Sequence, residues 1–170
     1  NAAFLADLQG WAKICQRLYI WDYTTDFQNY VNPHPNWFTL GPNVRLFQAN
    51  NVRGVFEQGA YQGFGGEMAE LRAWVLAQLL WNPQQNDRAL IEEFMQGYYG
   101  KAAATPIGNY LELMRRESEG FHLACFLRPN APHLRFKTLA EAERLWSEAE
   151  RLVINDPELL ARVRQSHLPV

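Results

Sequence analysis

Two acidic residues, Asp22 and Glu57, close two short apolar segments of the chain, where they could support acid–base chemistry. The segments are 17–23 and 51–59, and each is rich in β-branched or aromatic residues, as buried strands are. Each acid stands where its segment gives way to a loop rich in Gly, Asn or Thr. Parallel α/β enzymes display their chemistry at the carboxyl ends of such strands, so both acids are candidate catalytic residues.

The chemistry that best suits two strand-end carboxyl groups is hydrolysis of a glycosidic bond, which uses one as an acid and one as a base or nucleophile. Neighbouring parallel strands lie about 4.8 Å apart, and strands one removed lie about twice as far apart. Asp22 and Glu57 could therefore fit either of the carboxyl separations that glycosidases use. Alternatively, both acids only bind loop backbone or sugar hydroxyls, and the spacing leaves that choice open.

Aromatic residues make up 14% of the chain, with Trp at six positions. Trp21 and Trp37 lie at a strand end or in a loop, where an amphipathic ring can stack on a ligand. Two more aromatic residues lie in the glycine-rich loop 59–66, which lacks a complete phosphate-binding motif and precedes an acid, Glu67. The predicted substrate-binding residues are Trp21, Tyr23, Trp37, Gln58, Tyr61 and Phe64.

Charge and composition exclude several classes of function. The net charge is −2 and the pI is about 6.1, so no basic surface predicts binding to nucleic acid or to an anionic membrane. The longest apolar run, 73–81, is too short to cross a bilayer. The histidines lack the spacing of metal ligands, and we predict no metal and no cofactor. Cys15 and Cys125 are predicted to be free buried thiols, which leaves the compartment open.

Outside the two strands, the hydrophobic spacing is helical. A long loop, 24–41, follows the first strand, and its two prolines exclude regular structure. Loops of this length usually serve a function. Glu70 and Arg72 are predicted to form an ion pair on a surface or barrel edge, and Trp11, Trp74, Trp81 and Trp146 to lie in the core. The predicted helices are 3–15, 43–50, 67–81, 88–99 capped by Asp87 and ended by Gly100, 106–125, one capped by Thr138, and 158–167 started by Asp156.

Four segments of the sequence resemble a known bacterial family. They are Val52–Gly59, Gly66–Pro83, Glu92–Gly100 and 148–164. Together they are similar to an uncharacterised domain family found in large glycoside-hydrolase-like proteins, which are related to α-glucuronidases and hexosaminidases. The resemblance implies a TIM barrel followed by helices, in a bacterial parent protein that is secreted or periplasmic; the location itself stays open.

The implied fold class is mainly α with a small parallel β component. Residues 1–82 would be the C-terminal strands and helices of a (β/α) barrel, with 17–23 and 52–58 as its last two strands. Residues 83–170 would form a helical extension. The start of the chain, Asn1-Ala2, resembles a vector scar, and we expect a fragment of a longer protein. The general acid of related barrels often lies on an earlier strand, which this chain lacks.

We therefore expect a fragment of a carbohydrate-active, glycoside-hydrolase-like protein that contributes part of a sugar-binding or hydrolytic cleft. The parent would be a glycoside hydrolase, and the isolated chain would be inactive because at most one wall of the cleft is present. Carbohydrate is the expected ligand. Two strands without neighbours leave sheet edges unpaired, which predicts either a homodimer through those edges or a refolded strand region. The alternative is a non-catalytic helical interaction or scaffold module, in which the aromatic residues are core and the acids are incidental.

Overall fold

A computed structural model describes all of residues 1–170 and consists mainly of helices, with one two-stranded parallel sheet. The predicted fold class is confirmed at this level. Short 3₁₀ turns occur at Trp37–Thr39 and Pro132–Leu134. None of the helices is both long enough and apolar enough to cross a bilayer. The elements in chain order are α1 (Ala2–Ile14), β1 (Leu18–Tyr23), α2 (Leu40–Ala49), β2 (Val52–Gln58), α3 (Ala69–Trp81), α4 (Asp87–Glu117), α5 (Phe136–Leu152) and α6 (Pro157–His167).

The sheet pairs β1 with β2 in parallel, and α2 is the crossover between them. Leu18 pairs with Val52 and Tyr19 pairs with Gly54, so Arg53 is an extra residue that forms a bulge near the start of β2. From Tyr19 onward the pairing is regular to the end of both strands. Both strands therefore end at the same edge of the sheet, as the sequence predicts.

Helix α4 consists of two arms that meet at Gly100. This glycine has a φ of 81°, a left-handed value, and the space where a Cβ would lie is only 2.7 Å from Leu159. The arms fold back on each other. This brings Arg88, near one end of α4, close to Glu112, near the other end, and Arg88 donates a hydrogen bond to Glu112 over 2.6 Å. The predicted break at Gly100 is confirmed. A helix is present in the predicted range 106–125, but its predicted bounds are wrong: the second arm starts directly after Gly100, in an alanine-rich stretch, and ends at Glu117.

Of three further helix starts, the structure confirms one and corrects two. Asp156 caps α6 by accepting hydrogen bonds from the first turn of that helix, as predicted. Helix α5 begins at Phe136, before the predicted cap at Thr138, whose buried side chain lies within the helix. The predicted cap of α4 at Asp87 is wrong, because the Asn86 side chain accepts the hydrogen bonds from the first turn of that helix.

The hydrophobic core lies among α2, α3, α4, α5 and α6, with Trp37 from the loop before α2 inserted into it. Trp146 is fully buried and Trp74 packs against the core, as predicted. The prediction is wrong for Trp11 and Trp81, which are 59% and 90% exposed. Both rings lie on helix surfaces that no other element covers. The core draws on both predicted parts of the chain, and the boundary at residue 82 falls in the turn between α3 and α4.

A buried ion pair between Arg72 and Glu67 fixes the long loop that follows β1. Both side chains are almost fully buried, and the guanidinium lies 2.6 Å from the Glu67 carboxylate. The same guanidinium donates to the Asn36 side chain, over 2.7 Å, and to the carbonyl of His34, over 2.5 Å. The predicted pair of Arg72 with Glu70 is therefore wrong: Arg72 points into the protein, where it organises the loop.

The opposite part of this loop is held by Asp26, which is fully buried. One of its oxygens accepts hydrogen bonds from the backbone N–H groups of Gln28 and Leu127, each over 2.9 Å. The other accepts from the Asn32 side chain, over 3.2 Å. A loop that the sequence predicts to be irregular is thus ordered by buried side-chain hydrogen bonds.

Arg72→Met is expected to lower the free energy of unfolding by about 3–5 kcal/mol, because it leaves the Glu67 carboxylate buried without a partner. The free energy of unfolding should fall less in the double variant Glu67→Gln/Arg72→Met, since both charges are removed. Urea unfolding followed by circular dichroism measures both. Arg144→Met, which breaks exposed ion pairs on α5, is the control and should change stability little. Equal losses in the single and the double variant would contradict the role given to the ion pair.

Candidate functional site

The two predicted acids lie side by side near the carboxyl ends of the strands. Asp22 on β1 is paired in register with Glu57 on β2. Because side chains at the same register of parallel strands point to the same face, the two carboxyl groups are neighbours, with backbones about 4.8 Å apart. Two carboxyl groups this close disfavour each other's ionisation, and acid–base sites use that effect. The structure thus brings together the two residues that the sequence singles out.

Glu57 carries the most perturbed carboxyl group of the site. Both of its oxygens are buried and neither has a hydrogen-bond partner. Burial, and secondly the charge of Asp22, raise the pKa of Glu57 from 4.5 to about 7. The side chain borders a cavity of about 260 Å³ between the end of β2 and α3, where Thr24, Arg72 and Ala73 also lie. Glu57 therefore keeps its proton to a higher pH than an ordinary carboxyl group does.

Asp22 is less perturbed and opens into a different cavity. Burial raises the pKa of Asp22, and a hydrogen bond from the backbone N–H of Tyr23, over 2.9 Å, opposes that effect. Its cavity has a volume of about 480 Å³ and lies against the start of α2, where Asn43 also borders it. Both acids therefore face the side of the sheet that α2 and α3 cover.

The opposite face of the sheet is aromatic and open. Tyr19, Trp21 and Tyr23 alternate with the half-buried residues of β1, and Phe56 on β2 lies opposite Trp21. Trp21 is 64% exposed. Its ring packs edge-on against Phe56, with centroids 5.0 Å apart, and its indole N–H donates to the Gln58 side chain over 2.6 Å. We call these residues the aromatic face: Tyr19, Trp21, Tyr23, Phe56 and Gln58.

At the end of β1 the aromatic face continues into the loops. Phe27 packs edge-on against Tyr23 and Tyr30, with centroids 5.4 and 5.7 Å apart, and also lies beside Tyr61 and Phe126. The predicted ligand contact Tyr61 is two-thirds exposed in this group. Rings that are exposed and yet held by neighbours suit stacking on a ligand, because little side-chain freedom remains to be lost.

Two predicted ligand contacts lie elsewhere. Phe64 is fully exposed at the tip of the glycine-rich loop and makes no aromatic contact. Trp37 is fully buried, with its ring beside Tyr110 and under the Arg72 guanidinium. The prediction that Trp37 stacks on a ligand is therefore wrong, because neither face of its ring is open.

The predicted site is in fact two surfaces. Neighbouring residues of a strand point to opposite faces, so Asp22 cannot share a face with Trp21 and Tyr23. The polar residues beside the acids were not predicted. His34, Asn36 and Thr24 lie there because Arg72 of α3 holds the loop at His34 and Asn36, and Asn36 in turn donates to the carbonyl of Thr24. The sequence signals only that this loop is long and contains two prolines. No group of three or more acidic, His or Cys side chains is placed to hold a metal ion.

Comparison with known proteins identifies a family for most of the chain. Residues 1–112 match the sequence profile of the family described as Domain of unknown function (DUF4838). The chain belongs to this family. The matched part of this DUF4838 chain holds the sheet, the cavity beside Glu57 and most of α4, whereas residues 121–125 also line the cavity beside Asp22. No curated protein and no solved structure matches the chain. The family's description names no activity, so the relation to glycoside hydrolases stays a prediction.

Glu57→Gln is expected to stabilise the protein in a pH-dependent way. Because the folded state raises the pKa of Glu57 from 4.5 to about 7, folding is favoured when this group is protonated and penalised as the pH rises between those values. The amide carries no such penalty. After allowance for partial solvent exposure, Glu57→Gln should raise the free energy of unfolding above pH 7 by about 1–2 kcal/mol, or Tm by about 2–8 °C. This difference from the wild type should vanish near pH 4.

Thermal unfolding at pH 4 and pH 8 measures this effect. The exposed residue Glu93 on α4, which makes no hydrogen bond with its side chain, provides the control variant Glu93→Gln. A Glu57→Gln protein that is less stable than the wild type at pH 8 would show that the carboxylate has a partner that the structure lacks.

Proposed function

We propose that the chain forms one wall of a sugar-binding cleft in a carbohydrate-active, glycoside-hydrolase-like protein, and that the aromatic face is this wall. The observation that carries the proposal is the state of Trp21. Its ring is 64% exposed, yet it is held in one orientation by Gln58 and Phe56. A fixed and open indole offers an apolar surface to a sugar ring, and the neighbouring amide offers hydrogen bonds to hydroxyl groups.

The architecture that we propose for the parent protein is a TIM-type barrel. The unit β1–α2–β2–α3 would be its C-terminal βαβα part, and α4 to α6 would be a helical extension. Two observations support this: the strands are parallel, and helices cover only one face of the sheet. In a TIM barrel the helices form the outer ring, so the aromatic face would point inward. Tyr23 and Gln58 would lie at the carboxyl ends of the strands, where such barrels bind substrate.

A second candidate function is glycoside hydrolysis by the acid pair. It is favoured by Glu57, whose pKa is raised to about 7, since the general acids of glycosidases also have raised pKa values. Adjacent strands bring the carboxyl groups closer to the separation of retaining enzymes, about 5–5.5 Å, than to the wider one of inverting enzymes. The geometry favours binding over hydrolysis, however, because the acids and the aromatic face lie on opposite sides of the sheet.

The non-catalytic interaction module stays the alternative, and the homodimer stays a prediction. The free edges of β1 and β2 and the exposed rings are surfaces that a second copy could cover. Such a module would bury the aromatic face against protein, so that sugars could not reach it. Sugar binding at Trp21 separates the two proposals.

Trp21→Ala is expected to weaken the binding of oligosaccharides at least about tenfold, because the stacking surface is lost. Isothermal titration calorimetry with a panel of oligosaccharides of glucose, N-acetylglucosamine and galacturonic acid measures the effect. Trp81→Ala, which removes a tryptophan that is 90% exposed at the end of α3, is the matched control and should bind as the wild type does. Light scattering on the same samples determines whether the chain is a dimer.

Failure of the whole panel to bind to a monomeric, folded chain would argue against the sugar-binding wall. Equal losses in Trp21→Ala and Trp81→Ala would show that binding is nonspecific.

For the second candidate function, Glu57→Gln and Asp22→Asn are expected to lower kcat on aryl glycosides or aryl uronides by about 10²–10⁴-fold in the full-length protein that contains this chain. The isolated chain should show no hydrolysis. Full activity of both variants would exclude catalysis by the acid pair. It would not bear on the proposal that the aromatic face binds sugar.

A further inference from the structure

An open cavity lies at the amino ends of the two strands, away from Tyr23 and Gln58 at their carboxyl ends. It has a volume of about 420 Å³ and is lined by Gln16, Arg17, Tyr19 and Arg53. The lining therefore contains two guanidinium groups, an amide and a phenol ring, and no carboxyl group. We call it the arginine cavity. Only Tyr19 among its residues belongs to the aromatic face, so an inference about this cavity does not depend on the sugar-binding wall proposed above.

The backbone that carries both arginines is fixed by Asn51. Its side-chain amide donates hydrogen bonds to the carbonyl groups of Ala12 and Cys15, over 2.9 and 3.3 Å, and so ties the end of α1 to the start of β2. Its own carbonyl accepts a hydrogen bond from the backbone N–H of Leu18, over 3.0 Å. Asn51 adopts a φ of 60°, a left-handed value that asparagine tolerates better than most residues. The two segments that carry the arginines are therefore held side by side.

A β-bulge brings Arg53 to this cavity. Tyr19 is paired in register with Gly54, and Arg53 is the extra residue of β2 before that pair. A bulge frees its extra residue from the regular alternation of side chains and redirects it, so that Arg53 borders the same cavity as Tyr19. The Tyr19 ring lies against Gly54, where a Cβ would be only 2.7 Å from the ring. The glycine thus lets the ring lie close to β2.

The positive charge of the arginine cavity has no counter-ion within the chain. Most of the chain's arginine side chains form ion pairs with carboxylates, but Arg17 and Arg53 do not. Two like charges that border one cavity repel each other, which opposes folding. An anion bound between them would replace this repulsion by two attractions. The chain as a whole has a net charge of −2, so this local excess of positive charge is not a general property of its surface.

We propose that the arginine cavity binds a doubly charged oxyanion, a phosphate or sulfate group, through the guanidinium groups of Arg17 and Arg53. A guanidinium group binds such an anion through two parallel N–H···O hydrogen bonds, a geometry that an ammonium group does not offer. Gln16 supplies a further N–H donor. The exposed ring of Tyr19 offers an apolar surface to the group that carries the anion, such as a sugar ring. Free phosphate and a phosphorylated sugar share this chemistry.

Calorimetric titration with inorganic phosphate, at low ionic strength and at pH 8, where phosphate is mostly doubly charged, tests this directly. The wild-type chain is expected to bind phosphate at least about tenfold more tightly than Arg17→Gln/Arg53→Gln does. The matched control is Arg128→Gln/Arg151→Gln, which removes two other exposed arginines that form no ion pair and so changes the net charge equally. It should bind phosphate as the wild type does.

Urea unfolding without phosphate shows whether the variant remains folded. Arg17→Gln/Arg53→Gln should be at least as stable as the wild type, because the repulsion between the two charges is removed. Weaker phosphate binding by a variant of this stability would reflect the loss of the guanidinium groups rather than unfolding. A variant that is less stable than the wild type would contradict the absence of a counter-ion in the chain, and with it the proposed site.

Glucose 6-phosphate and glucose show what carries the anion. Tighter binding of glucose 6-phosphate than of inorganic phosphate, reduced to the level of phosphate in Tyr19→Ala, would assign the site to phosphorylated sugars. Equal affinities would assign it to the free anion, and both results support an oxyanion site. No binding of phosphate to the wild type, or equal phosphate affinities in the wild type and in Arg17→Gln/Arg53→Gln, would overturn the proposal. An equal loss in the two double variants would overturn it as well. A failure of glucose to bind bears only on the sugar-binding wall.

Discussion

The buried ion pair of Arg72 with Glu67 is the interaction on which the arrangement of both surfaces depends. Arg72 belongs to α3, and it reaches the loop after β1 at His34 and Asn36. Tyr110 of α4 lies within 3.5 Å of the Glu67 carboxylate, which ties the same pair to the helical part of the chain. Burial raises the pKa of Glu67, and the Arg72 guanidinium acts in the opposite direction. An ion pair this deeply buried is costly alone, so its neighbours must supply the remaining hydrogen bonds.

Through this ion pair, the hydrophobic core positions residues that lie outside the core. His34 borders the cavity beside Asp22 because its backbone carbonyl is held by Arg72. Asn36 joins Arg72 to the backbone of Thr24, directly beyond the end of β1. From there the chain continues to Phe27, which gathers the exposed rings around Tyr23. One buried cation therefore helps to order the loops on both sides of the sheet.

Much of the fold could be predicted from the sequence, because local patterns specify it. The strands, the crossover helix, the break at Gly100 and the cap at Asp156 each follow from composition or turn chemistry within a few residues. The burial of Trp37 and the partner of Arg72 could not be predicted, since each depends on contacts between segments far apart in sequence. The separation of Asp22 from Trp21 could have been predicted, because strand alternation places neighbouring residues on opposite faces. Only the tertiary fold shows which of the two faces of the sheet the helices cover.

We propose that the aromatic face, rather than the acid pair, contacts the sugar. The most direct test is the NMR signal of the Trp21 indole N–H during titration with an oligosaccharide. Trp37 and Trp146 are internal references, because both indoles are fully buried. We expect the Trp21 signal to shift with the ligand while the two buried indole signals stay in place. A titration in which a sugar binds and the Trp21 signal does not move would contradict it.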